Sequence, residues 1–226
     1  MASWKTESEG ASIVLIGKFN PAIFQPAWLG AGNLIRREEA DAAKIELVNP
    51  QLTSFSADWL KVQVLSERFL ATTVDTEHYQ ALRDLVISIF QLLEHTPFWT
   101  MGMNRDMHFK MKSEEEWHRL GHLLAPKEIW RPLMDQPGLR SLLIQSSPSK
   151  HNEIQIVRNV RVEPSTQVMP GVYIQFNIEL SLPGGAQAGI ITQQRAAREL
   201  TKQLSESWTD MLVEAQKIAD HILSKV

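Results

Sequence analysis

The sequence predicts an α+β fold: one antiparallel sheet built from two similar β-α-β(4)-α halves, with long helices packed on one face and a long C-terminal helix. Three observations carry the prediction. Several runs of the 226-residue chain alternate apolar and polar residues, the period of a strand with one buried face. Two long segments place apolar residues every three or four positions, the period of an amphipathic helix. The order of strand and helix signals through residues 11–96 also recurs through residues 97–226. Residues 1–10 are short, polar and mixed in charge, and read as a flexible N-terminus.

The first strand is expected over Ser12 to Phe19, closed by Asn20-Pro21. Ile23, Phe24, Ala27 and Trp28 then follow at helical spacing, in a helix that Pro21 and Pro26 keep short or kinked. From Lys44 to Val74 four short alternating runs read as an antiparallel meander. A helix from Thr76 to Glu94 carries Leu82, Leu85, Val86, Ile89 and Phe90 on one stripe, and Thr96-Pro97 closes it.

The second half opens on the longest alternating run, Trp99 to Lys112. Ser113 and the three glutamates after it form an N-cap with acids in the first turn, predicting a helix to about Leu124. Pro126, Pro132 and Pro137 punctuate an irregular stretch. Strands are expected again at Leu139 to Gln145, Glu153 to Val162 and Gly171 to Leu182, before a final helix from Thr192 toward Lys225. Two such halves can join edge to edge, hiding two sheet edges, with helices on one face and the other face open.

Composition narrows the function. The absence of cysteine excludes disulfides, thiolate metal sites and cysteine nucleophiles. No apolar run reaches the roughly 18 residues of a membrane span and no signal peptide is evident, so a cytoplasmic protein is expected. A net charge of −3 opposes broad binding to a phosphate backbone. A local basic cluster at Arg131, Arg140, Lys150, Arg158 and Arg161 remains a candidate nucleic-acid contact.

In the 99–112 run, Asn104, Asp106 and His108 share the polar side, within about 7 Å of one another in sequence neighbours, and form a candidate ligand-binding row. Arg105 points to the opposite, methionine-rich side, where it needs a carboxylate; Asp84 and Glu94 are the expected partners. His118 and His122 stand one helical turn apart, a spacing that suits metal ligands, and His108 and Glu115 could approach them, but Arg119 stands where the zinc-protease helix has its glutamate and no metal is assigned. No nucleotide-binding glycine motif and no nucleophile elbow occurs, so no cofactor is implied. In the last helix Trp208, Met211, Ile218 and Ile222 lie on one stripe, which faces either the core or a second copy of the chain.

The run Val62 to Phe69 (VQVLSERF), then His78-Tyr79, then Met101 to Arg105 (MGMNR), resembles the middle of a sporadically distributed, uncharacterised family of bacterial proteins. The order of elements in each half is similar to the TATA-binding-protein-like fold. The resemblance implies a fold and a bacterial setting, such as phage defence or toxin control. With no catalytic constellation present, the expectation is a noncatalytic subunit that works through a protein partner or self-association. A small-ligand or metal-dependent enzyme using the Asn104, Asp106 and His108 row is one alternative, and nucleic-acid binding through the 127–161 basic cluster is another.

Overall fold

The computed structural model describes residues 4–226; residues 1–3 of the stretch read as a flexible N-terminus lie outside the described residues. Strand β1 (Ser8–Gly17) leads through a 3-10 turn at Pro21–Ile23 into helices α1 (Pro26–Ala31) and α2 (Arg37–Asp41). The meander β2 (Lys44–Val48), β3 (Leu52–Ala57), β4 (Leu60–Leu65) and β5 (Arg68–Thr73) then delivers the chain to α3 (Tyr79–Leu92). The second half runs β6 (Phe98–Lys110), α4 (Glu114–Leu124), β7 (Leu142–Gln145), β8 (Ser149–His151), β9 (Ile154–Pro164), β10 (Gly171–Ser181) and α5 (Ile190–Leu223).

All strands join one 10-stranded antiparallel sheet in the order β2-β3-β4-β5-β1-β6-β10-β9-β7, with β8 also on β9. The halves meet through their first strands, β1 and β6. Reading outward from that seam, each half presents its first strand, then its last, then the rest of its meander. Where β1 ends, a Cβ on Gly17 would stand 2.4 Å from the Pro97 carbonyl oxygen, so glycine alone fits the crossing of the two chains.

The helix-facing side is apolar and continuous. Ile13 and Leu15 of β1, Met103 and Met107 of β6, and Ile174 and Phe176 of β10 are buried there. Four methionines of the 99–112 run are among these core residues, their flexible thioethers filling space between sheet and helices. Helix α5 follows β6 along the seam: Gln194 near its start bonds the His95 carbonyl, Leu212 meets Arg105 at mid-strand, and Gln216 reaches Trp4 beyond the far end. A helix of 34 residues spans about 51 Å, commensurate with a 13-residue strand of about 43 Å plus its flanks.

Several boundaries differ from expectation. Strand β1 starts at Ser8, so Ser8 to Gly10 of the stretch read as flexible belong to the sheet, held by the pairing of Ser8 with His108 and Gly10 with Asp106. The short α2 and β8 carry too few periodic residues to register in the sequence. Trp208 and Met211, expected as possible contacts for a second copy, are fully buried against the sheet, and Ile218 and Ile222 pack on the same core. Trp208 and Met211 are thus taken up by this chain's own sheet, while Ile218 and Ile222 stay partly exposed. No helix among the described residues is long and apolar enough to cross a membrane.

Candidate functional site

Because β6 lies at the seam, its two faces meet different halves of the molecule's chemistry. On the helix side, Arg105 donates to Glu9 of β1 from Nε (3.0 Å) and Nη2 (2.6 Å), and from Nη1 to the Leu212 carbonyl of α5 (2.7 Å). Tyr79 of α3 donates to the same glutamate oxygen at 3.3 Å. The expected partners Asp84 and Glu94 are not used: Asp84 pairs with Arg83, and Glu94 lies near Arg198 and His95. Glu9 wins because strand pairing sets Ala11 opposite Arg105 and so brings Glu9, two residues away on the same face, within reach. The arginine is thus a mostly buried strut joining β1, β6 and α5. Burial and the Glu9 charge push the Tyr79 phenol well above its ordinary range.

On the opposite face, Asn104, Asp106 and His108 stand in one row as expected, and pairing brings side chains of other strands onto them. Asn177 donates to Asn104 (2.9 Å), Asn159 to Asn177 (2.9 Å) and Gln145 to Asn159 (3.0 Å), while Asn104 donates to the Ser12 carbonyl (3.3 Å). This amide ladder crosses five strands. One rung away, Asp106 accepts from Gln175 Nε2 at 2.7 Å and from the Tyr173 hydroxyl, both on the same oxygen. Burial and that bond to Asp106 raise the Tyr173 phenol well above its usual value.

His108 is buried beside the Tyr173 ring, with Ser165 Oγ 2.9 Å from its Nδ1. A serine at this distance from an imidazole has the spacing of a nucleophile and its base. The hydroxyl oxygen, however, accepts from the amides of Gln167 and Val168 at 3.1 Å each, and Ser165 is itself buried. With both lone pairs engaged, its one proton goes to Nδ1, which leaves His108 neutral with hydrogen on Nε2. Desolvation lowers the imidazole below its ordinary value, opposed by the Asp106 charge. The row is therefore cross-linked laterally through Asn104, Asp106 Oδ1 and His108 Nδ1, while Asp106 Oδ2 and His108 Nε2 take no part in those bonds.

The basic residues do not gather. Arg158 and Arg161 are three apart on β9 and so project to opposite faces. Arg158 meets Glu214 of α5 at 3.0 Å on the helix side, and Arg161 lies 3.9 Å from Glu163 on the other. Arg140 and Lys150 are exposed on the chain before β7 and on β8, and Arg131 stands beside α4. Of the five residues expected as a nucleic-acid contact, Arg158 thus faces the helices and Arg161 the other side of the sheet. His118 and His122 likewise part company, His118 lining a cavity while His122 lies 3.3 Å from Glu128. No group of three or more potential metal ligands occurs among the described residues.

Two features escaped the sequence. The first is a cavity of about 570 Å³ between α4, the 127–139 segment and the ends of β9 and β10. Its floor is apolar, with Leu120, Val162 and Val172 buried beneath it, and Lys127 and Arg131 line its margin. Trp130, in the same segment, is the one exposed tryptophan of the seven. The second is the sheet edge at β2, where all five residues are exposed, including Ile45 (56%), Leu47 (44%) and Val48 (37%). The cavity had a partial sequence signal in the α4 stripe Trp117, Leu120, Gly121 and Leu124; the edge had none, since strand order is not written locally.

Neither a protein-family model nor a curated protein matches the chain.

Proposed function

We propose that this protein is a noncatalytic assembly subunit whose sheet is extended by a second copy of the same chain through β2. The observation that carries the reading is the exposed apolar edge: β2 ends the sheet and exposes Ile45, Leu47 and Val48, its only protection being Lys44, Glu46 and a register shift between Ile45 and Leu47. Antiparallel pairing of two copies about Ile45 sets Lys44 of one opposite Glu46 of the other, and Ile45 opposite its own copy. In that register the charges complement each other and the two Ile45 side chains meet, while Leu47 lies opposite Ala43 and Val48 opposite Ala42. The lateral engagement of Asn104, Asp106 Oδ1 and His108 Nδ1 supports the noncatalytic part of the proposal, because the Ser165 hydroxyl that faces His108 is held by two backbone amides instead of standing free as a nucleophile.

The strand order, with the first strand of each half at the centre, supports the likeness to the TATA-binding-protein-like plan. A cytoplasmic bacterial setting in phage defence or toxin control belongs to the same proposal and rests on the sequence resemblance alone. The test is native mass spectrometry at micromolar concentration, comparing the wild type with Ile45→Lys. The wild type is expected as a dimer, and Ile45→Lys as a monomer with unchanged far-UV circular dichroism, since two like charges then meet at the centre of the pairing. A monomeric wild type, or an Ile45→Lys protein that stays dimeric, overturns the reading.

A further inference from the structure

Protein interiors are close-packed, and voids much larger than a water molecule are few. The space beneath α4 is far larger than such voids and is half open to solvent. Helix α4 turns Trp117, Leu120, Gly121 and Leu124 toward the sheet at the spacing of a core-facing stripe, yet of these side chains only Leu120 is buried. Opposite them, Val162 and Val172 form a floor of β9 and β10, and Met134 and Leu139 of the 127–139 segment close part of the top. The volume of this half-open space, about 570 Å³, lies in the range of sites that take one small organic molecule.

The polar groups at the margin give the missing occupant a charge. Lys127 and Arg131 are one turn apart, tied by the bond from the Arg131 amide to the Lys127 carbonyl (3.0 Å), and both line the cavity. Neither makes an ion pair among the described residues. Two carboxylates also line the space. Glu163 accepts from the Ser141 hydroxyl at 2.8 Å and lies 3.9 Å from Arg161, so its charge is partly offset. Asp135 is exposed, one turn beyond Arg131. The unengaged guanidinium, with its planar fork of donors, is the group best matched to a carboxylate.

We propose that this cavity is a binding site for a single amphipathic carboxylate, such as a medium-chain fatty acid, its apolar body over Leu120, Val162 and Val172 and its head at Arg131 and Lys127. The site is separate from the β2 edge and independent of self-association. An apolar body fills a space that water gains little by entering, and the head finds cations already at the rim.

The test is titration calorimetry of the full chain with dodecanoate, and with dodecyltrimethylammonium as a ligand of the same body and opposite head. Saturable one-to-one binding of dodecanoate is expected, with the cationic analogue at least about tenfold weaker. Replacing both Lys127 and Arg131 by glutamine is expected to weaken dodecanoate by a similar factor. Gly121→Leu probes the body: a Cβ there meets only the Leu139 Cβ at 3.9 Å, so the larger side chain grows into the cavity, and leucine favours the helix. That variant is expected to fold and to lose binding. The proposal is overturned by absence of dodecanoate binding, by equal binding of the two head groups, or by full binding in Gly121→Leu.

Discussion

The crossovers that follow β1 and β6 occupy corresponding places in the two halves, and they are filled in opposite ways. After β1, the short turn and α1 drive Phe24 and Leu29 into the core. Phe24, Phe69, Phe90 and Phe98 form a chain of rings with centroids 5.5, 5.2 and 5.1 Å apart. After β6, α4 and the proline-punctuated segment beyond it bury little besides Leu120 and leave the cavity. One plan thus yields a packed aromatic core on one side and an open apolar chamber on the other. The difference lies in where the large apolar side chains point: Phe24 and Leu29 of the first crossover are buried, whereas the 127–139 segment keeps Ile129, Trp130 and Leu133 outside. Topology sets where a chamber can form, and the residues assigned to that place decide whether it is filled.

Matched truncations give the largest and most direct break of this comparison. Leu29 and Leu120 are 1% and 2% exposed, so the same leucine-to-alanine change is made at equal burial in each half. Leu29→Ala is expected to cost about 4 kcal/mol and Leu120→Ala about 2 kcal/mol, because a side chain already facing a void has fewer contacts to lose. Urea denaturation measures both. Equal costs would mean that the second crossover is as well packed as the first.

At the seam the halves share one charge pair, and its loss is expected to be felt by both. Glu9→Ala leaves the mostly buried Arg105 without its carboxylate and is expected to cost about 3 kcal/mol, while the double change Glu9→Leu with Arg105→Met recovers most of that loss. Thermal unfolding followed by tryptophan fluorescence and by far-UV circular dichroism should shift as one transition in the single variant. Two separated transitions would show that the halves unfold independently and that the shared core does not couple them.

The smallest effect concerns pH and belongs to the second half alone. His108 has its folded pKa lowered from an ordinary value of 6.5, so below that pH the unfolded chain takes up the proton more readily than the folded one. This histidine therefore contributes a loss of stability that sets in as pH falls through about 6.5 and levels off once the folded form is protonated as well. His108→Gln is expected to flatten the stability profile between about pH 7 and pH 5. An unchanged slope in that variant would place the acid sensitivity elsewhere.

What the sequence determined by itself was local. The alternation from Trp99 to Lys112 and from Gly171 to Leu182, and the helical stripe from Leu204 to Ile222, specified which elements form and which residues share a face, because side-chain direction repeats with the backbone period. The repeated order of elements also let the two-half sheet be read in advance. Tertiary structure alone decided the partners. Glu9 rather than Asp84 or Glu94 meets Arg105 across 96 residues of chain, Asn159 and Asn177 complete the ladder begun by Asn104, and the α5 stripe covers its own sheet. The cavity under α4 was equally out of reach. Register, burial and void volume arise from contacts between residues far apart in the chain, and no local period records which distant strand or helix will supply the neighbouring atoms.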